Sequence, residues 1–152
     1  MPIPETDANG NLPPGVHDAT LDEVIERYGT GVRREKITTG LRVVVLSLRR
    51  LHVTEIWVDG SYVTDKLRPG DVDVIFSPPI PTDYGKWGIL EPDPQKRLQL
   101  KKQYRVDLLP SQAVSDNFWR QPILNHFQID KRDGSPKGII RLVEGAEDEH
   151  QE

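Results

Sequence analysis

Ile37, Leu41, Val44, Val45, Leu48 and Leu51 recur at helical spacing across residues 33 to 51, with arginines and Glu35 on the other side. Three short alternating runs follow: VTEIWVDG, DVDVIF and YRVDLLP. The first pattern predicts one long amphipathic core helix and the others predict strands, each bounded by turn residues or prolines. A mixed α+β fold follows, with helices packed against a mixed β-sheet. Gly40 weakens the long helix by roughly 1 kcal/mol relative to alanine.

Around this centre the punctuation is clear. MPIPETDANGNLPP holds four of the 13 prolines and predicts an extended arm over residues 1–16. Thr20 and Glu23 form a capping-box pattern ahead of Leu21, Val24, Ile25 and Tyr28, and Gly29 stops that helix. Asp93 and Pro94 predict the cap and first turn of a basic helix reaching about Gln103. The proline-rich stretch from residue 77 to 93 reads as a long loop. SQAVSDNFWRQPILNHF is expected to form two short helical pieces broken at Pro122. FQIDKRDGSPKGIIRLV reads as a C-terminal hairpin turning near Asp133-Gly134. The domain spans 17–143, and EGAEDEHQE (144–152) is an acidic tail that cannot pack.

With 152 residues, 36% of them hydrophobic, the chain has material for one domain with a modest core. No run approaches the ~18 apolar residues of a membrane span, and the first residues lack signal-peptide character, so a soluble cytoplasmic protein is expected. Without cysteine, any metal must sit on oxygen or imidazole. The net charge of −4 argues against a general nucleic-acid coat. His17, His52, His126 and His150 show no metal-ligand spacing. Ser61 lacks the second glycine of a nucleophile elbow. Tyr84, Trp87 and Trp119 are candidates for base stacking, with Trp119 favouring the core. Asp130, Lys131, Arg132 and Asp133 read as solvated turn charges pointing apart.

The acids inside the strands are harder to explain. Residues two apart on a strand share a face about 6.5 Å from one another, so Asp71 and Asp73 project together. Like carboxylates there repel unless cations neutralise them, and hard oxygen donors suit Mg²⁺. Asp107 interrupts a third apolar run, where an unpaired buried carboxylate costs several kcal/mol. The acids on neighbouring strands would form a three-carboxylate metal site.

Gly60-Ser61, nine intervening residues, Asp71-Val72-Asp73 and the later Asp107 resemble the signature of the DNA polymerase β-type nucleotidyltransferase superfamily, particularly its minimal single-domain members. GNLPPGVH, DGSYVTDK and DGSPKGIIRL also resemble an uncharacterised bacterial and phage family of this length. The superfamily resemblance implies two ions, Mg²⁺ or Mn²⁺, on Asp71 and Asp73, with Asp107 binding the catalytic ion and helping to deprotonate an acceptor hydroxyl. It implies that Gly60 and Ser61 hold the nucleotide triphosphate, with Lys66 offsetting its charge. Members commonly carry arginine and glycine shortly after the Gly-Ser and a serine before the first metal acid. Thr64-Asp65 and Gly70 occupy the corresponding places here.

The resulting expectation is transfer of a nucleoside monophosphate from an NTP to a hydroxyl of RNA, protein or a small molecule. Specificity would come from the 77–93 loop, the basic helix after it, self-association or a partner, and the resemblance implies a helical partner protein in a toxin-antitoxin or defence setting. The alternative is an inactive module of the same fold that binds nucleotide or a protein. A third reading pairs the acids with Arg105, Lys66 or Arg68 in a structural network.

Overall fold

A computed structural model describes residues 3–79, 82–111, 128–130 and 132–144. Among them run β1 (Gly15–Thr20), α1 (Leu21–Tyr28), α2 (Val32–Arg50), β2 (Glu55–Asp59), β3 (Val72–Ser77), α3 (Pro94–Tyr104), β4 (Val106–Pro110) and β5 (Gly138–Val143), with short 3-10 turns at Ser61–Val63, Tyr84–Lys86 and Gly88–Leu90. The strands form one mixed sheet in the order β1-β5-β2-β3-β4. β1 pairs parallel with β5, β5 antiparallel with β2, β2 antiparallel with β3, and β3 parallel with β4. The protein is a mixed α+β fold.

Local chemistry sets the helix ends. Thr20 Oγ1 accepts from the Glu23 amide at 3.1 Å, and Glu23 Oε1 accepts from the Thr20 amide at 2.9 Å, so α1 starts on a closed capping box. Asp93 Oδ2 accepts from the Gln95 and Lys96 amides ahead of α3, with Pro94 in the first turn. Arg105 ends that helix in the left-handed conformation at φ 60°.

Alternation along the strands separates two faces. Ile56, Val58, Val72, Val74, Phe76, Val106, Leu108, Ile140 and Leu142 join the main core with Leu41, Val44, Val45 and Leu48 of α2. On the opposite face Trp57, Ile75, Leu109 and Ile139 make a smaller buried cluster. Gly40 has a packing reason: an added Cβ would lie 1.9 Å from the Tyr104 carbonyl oxygen, so the glycine lets α2 and the end of α3 approach.

Several expectations change. The strand β1 was not indicated by the sequence, and its pairing with β5 joins segments more than a hundred residues apart. The expected turn at Asp133-Gly134 is present, and among the described residues its antiparallel pairing is the Ile129 to Pro136 bridge; β5 spends its hydrogen bonds on β1 and β2. Within the expected arm, Leu12 is fully buried in the core and Asn11 donates its side-chain amide to Asp130 Oδ2 at 2.8 Å. Asp130 is buried, and Arg132 bonds it through both backbone and guanidinium, so these two charges converge rather than point apart; Asp133 accepts from the Ser135 amide and hydroxyl instead, and Lys131 lies outside the described residues. Trp87 is buried against Phe76 and Tyr84 as core, which removes it as an open base-stacking platform. The expected helical pieces of 111–127, with Trp119, lie outside the described residues apart from Ser111, as does the acidic tail beyond Glu144. No helix among the described residues is long and apolar enough to cross a membrane.

Candidate functional site

The cross-strand register places three acids in one row. Asp59 at the end of β2 faces Asp73 on β3, and Asp73 faces Asp107 on β4. Each alternates with the core-facing residues of its strand, Val58, Val72, Val74, Val106 and Leu108, and so lies on the face away from the main core. The next row along is apolar, Trp57, Ile75 and Leu109. Asp71 lies two residues before Asp73, at the mouth of β3. Asp59 and Asp107 are buried, at 1% and 7% exposure.

Gly60 belongs to this row. Its φ of 91° favours glycine, and a Cβ there would lie 2.8 Å from Asp73 Oδ2. The close approach in the Gly-Ser turn is therefore made first by the Asp73 carboxylate.

Beyond Gly60 the chain enters the Ser61–Val63 turn, which Arg34 of α2 clamps. Its guanidinium donates to the carbonyls of Tyr62 (2.7 Å), Thr64 (3.0 Å), Lys66 (2.6 Å) and Tyr28 (3.1 Å), and it lies 5.5 Å over the Tyr62 ring. Tyr62 hydroxyl and Thr38 Oγ1 are 2.7 Å apart. Thr64, which departs from the superfamily pattern, closes the turn by donating its hydroxyl to the Ser61 carbonyl at 2.6 Å. Asp65 donates its amide to the Gly10 carbonyl at 3.1 Å, tying the N-terminal segment to the same turn.

The cations on the acids are not those the sequence suggested. Arg97 Nε and Nη2 fork onto the two oxygens of Asp107 at 2.6 and 3.0 Å. Lys101, one helical turn further along α3, is 3.2 Å from Asp71 Oδ2. Lys137 Nζ is 3.8 Å from Asp59 Oδ2. The hydrogen bond and charge of Asp71 push the Lys101 ammonium above its ordinary pKa, and Asp107 and Asp73 add to the effect. One ammonium thus senses all three acids that the sequence nominated. Arg105 and Arg68, proposed as partners, make none of these ion pairs. Lys66 lines a separate open cavity of about 530 Å³ with Arg27, Arg33, Arg34 and Thr64.

Asp59, Arg34, Arg97, Lys101 and Lys137 are the participants that sequence reasoning missed. Asp59 closes the apolar run Ile56-Trp57-Val58, whereas Asp107 interrupts one. Arg97 and Lys101 carry the helical i,i+4 signature of a shared face, but only the docking of α3 shows what that face meets.

The donor set suits a hard divalent ion: carboxylate oxygens only, side by side on adjacent strands, with a glycine making room for one of them. Asp71, Asp73 and Asp107 are the residues that would hold Mg²⁺. Among the described residues, no three His, Asp or Glu side chains converge on one ion-sized point in the present rotamers. Arg97 and Lys101 occupy two of the carboxylates instead. No curated protein and no solved structure matches the chain. The sequence does match one family model over residues 4–143, and the chain belongs to that family, described as "Family of unknown function (DUF6932)".

Proposed function

We propose that this protein is a Mg²⁺-dependent nucleotidyltransferase that moves a nucleoside monophosphate from an NTP to a hydroxyl of RNA, protein or a small molecule. The observation that carries this reading is the register of Asp73 with Asp107, with Asp71 two residues away and Gly60 against Asp73. Such a row is a costly arrangement of like charges for a strand face, and phosphoryl transfer is a chemistry that uses it.

In the proposed reaction the acceptor oxygen bonds to the α-phosphorus as the bond from that phosphorus to its bridging oxygen breaks. Pyrophosphate leaves with the electron pair, and the hydroxyl proton passes to the Asp107 carboxylate. Bound Mg²⁺ supplies positive charge that orients the attacking oxygen and stabilises the leaving group. The Gly60-Ser61 turn, held by Arg34, offers its backbone and the Ser61 hydroxyl to the triphosphate. A helical partner protein, as in toxin-antitoxin or defence pairs, is the proposed source of acceptor specificity.

A second reading is a module of this fold that binds nucleotide or a protein without turnover, favoured by the Arg97 fork on Asp107. The two separate when the protein is incubated with each α-labelled NTP, Mg²⁺ or Mn²⁺ and cell extract, beside Asp71→Ala/Asp73→Ala. Label passed to RNA, protein or small molecules by the unmutated protein alone supports the enzyme. NTP and metal binding without transfer supports the module.

A further inference from the structure

We infer that Arg97 and Lys101 are exchangeable counter-ions: they hold the carboxylates while no divalent ion is bound, and take the substrate's phosphates once the ion has displaced them. The inference rests on the metal-dependent reading above and names residues of the same site.

The two side chains lie four apart on α3 and reach the two acidic neighbours of Asp73, one across the sheet to Asp107 on β4 and one back along the chain to Asp71 before β3. The partners in each pair differ in freedom. The Asp107 side chain is 10% exposed and held on β4, whereas Arg97 is 48% exposed; Asp71 and Lys101 stand at 27% and 46%. The carboxylates stay in place and the cations can swing into water, because long basic side chains keep their heads solvated while their stems rest on the protein.

Charge explains the exchange. A carboxylate row on adjacent strands needs neutralising at every stage. Arg97 and Lys101 of α3 do this for Asp107 and Asp71. When divalent ions take the carboxylates, two cations are left beside the row, next to the place where a polyanion bound to those ions must lie. The planar fork of Arg97 matches phosphate as well as carboxylate, so the same group serves both states. Lys137 differs: its side chain is only 17% exposed and it stands 3.8 Å from Asp59, so it stays with its acid throughout.

The exchange gives opposite signs for two ligands, which a purely structural salt bridge does not. The test measures Mn²⁺ binding by electron paramagnetic resonance without nucleotide, then retention of α-labelled NTPs at saturating Mn²⁺. It compares the unmutated protein with Arg97→Ala, Arg97→Lys, Lys101→Ala and Asp71→Ala/Asp73→Ala. Arg97→Ala should bind Mn²⁺ about tenfold more tightly and NTP about tenfold more weakly, the scale of one charge-assisted hydrogen bond. Lys101→Ala, whose partner Asp71 is more exposed than Asp107, should move both in the same directions by less and serves if Arg97→Ala fails to fold. Arg97→Lys should fall between. Unchanged Mn²⁺ affinity, or tighter Mn²⁺ with unchanged NTP retention, overturns the exchange while leaving the metal site standing, provided the double aspartate variant loses Mn²⁺. Absence of Mn²⁺ binding in every protein overturns the metal-dependent reading and the exchange with it.

Discussion

Gly40 of α2 faces the Tyr104 carbonyl so closely that a Cβ on Gly40 would stand 1.9 Å from the oxygen. Helix propensity alone says that Gly40→Ala gains roughly 1 kcal/mol. The contact says the reverse, because the obstacle is backbone and can yield only if α3 moves. Gly40→Ala is expected to lose about 1–3 kcal/mol, the usual range for overpacking. Urea unfolding decides it: a raised midpoint would mean that the helices are not in this contact.

Gly60→Ala tests the link between the Gly-Ser turn and the acid row. The residue has φ 91°, and its Cβ would meet Asp73 Oδ2 at 2.8 Å. A loss of about 1–3 kcal/mol is expected from the backbone alone, and Mn²⁺ binding should fall because the carboxylate must turn away. Full stability with full Mn²⁺ binding would show that the turn is indifferent to Asp73.

Arg34→Lys keeps the charge and loses the planar fork that serves four carbonyls. The expected cost is on the order of 2 kcal/mol. Hydrogen exchange gives a sharper readout: the Val63 and Thr64 amides, bonded to the Gly60 and Ser61 carbonyls, should exchange faster while the α1 amides are unaffected. Equal protection in both proteins would mean that the turn holds without the clamp.

Asp130 gives a pH dependence with a definite sign. Hydrogen bonds from the Arg132 guanidinium and amide and from Asn11 hold its carboxyl well below the usual carboxylate range. A group depressed in the folded state contributes stability above its unfolded pKa of about 3.9 and loses it as pH falls toward the folded value. Asp130→Asn should therefore be less stable at neutral pH and show a shallower loss of stability below about pH 4. Asp18 and Asp133 are lowered as well, by Arg141 and by Ser135, so part of the acid sensitivity remains in the variant. Parallel stability curves for the two proteins across this range would remove Asp130 from the account.

Where the physics was local, the sequence was readable. The capping box at Thr20, the Asp93-Pro94 start and the apolar periods of α2, β2, β3 and β4 needed only neighbouring residues. Asp71, Asp73 and Asp107 stood out because each breaks an apolar run. What escaped depended on docking. β1 is recognisable only beside β5, and Arg97 and Lys101 look like ordinary solvated cations until α3 lies against β4. Lys66, which the superfamily resemblance sets beside the triphosphate, is carried by the turn that Arg34 holds to the cavity lined by Arg27 and Arg33. Asp59, at the end of its run and before Gly60, has the sequence context of an ordinary turn acid, and only its register with Asp73 sets it in the row.

The insertion of β5 between β1 and β2 has a consequence for the order in which this sheet is built. A chain emerging from the ribosome releases β1 first, and its partner among the described residues, Gly138–Val143, arrives more than a hundred residues later. The trio β2-β3-β4 can assemble beforehand with α2 laid over it, but β2 then shows an open row of amides and carbonyls, the kind of edge that recruits other chains. The nascent protein must shelter that edge through the synthesis of everything from Ser111 onward, and a single late strand closes it and captures the earliest one.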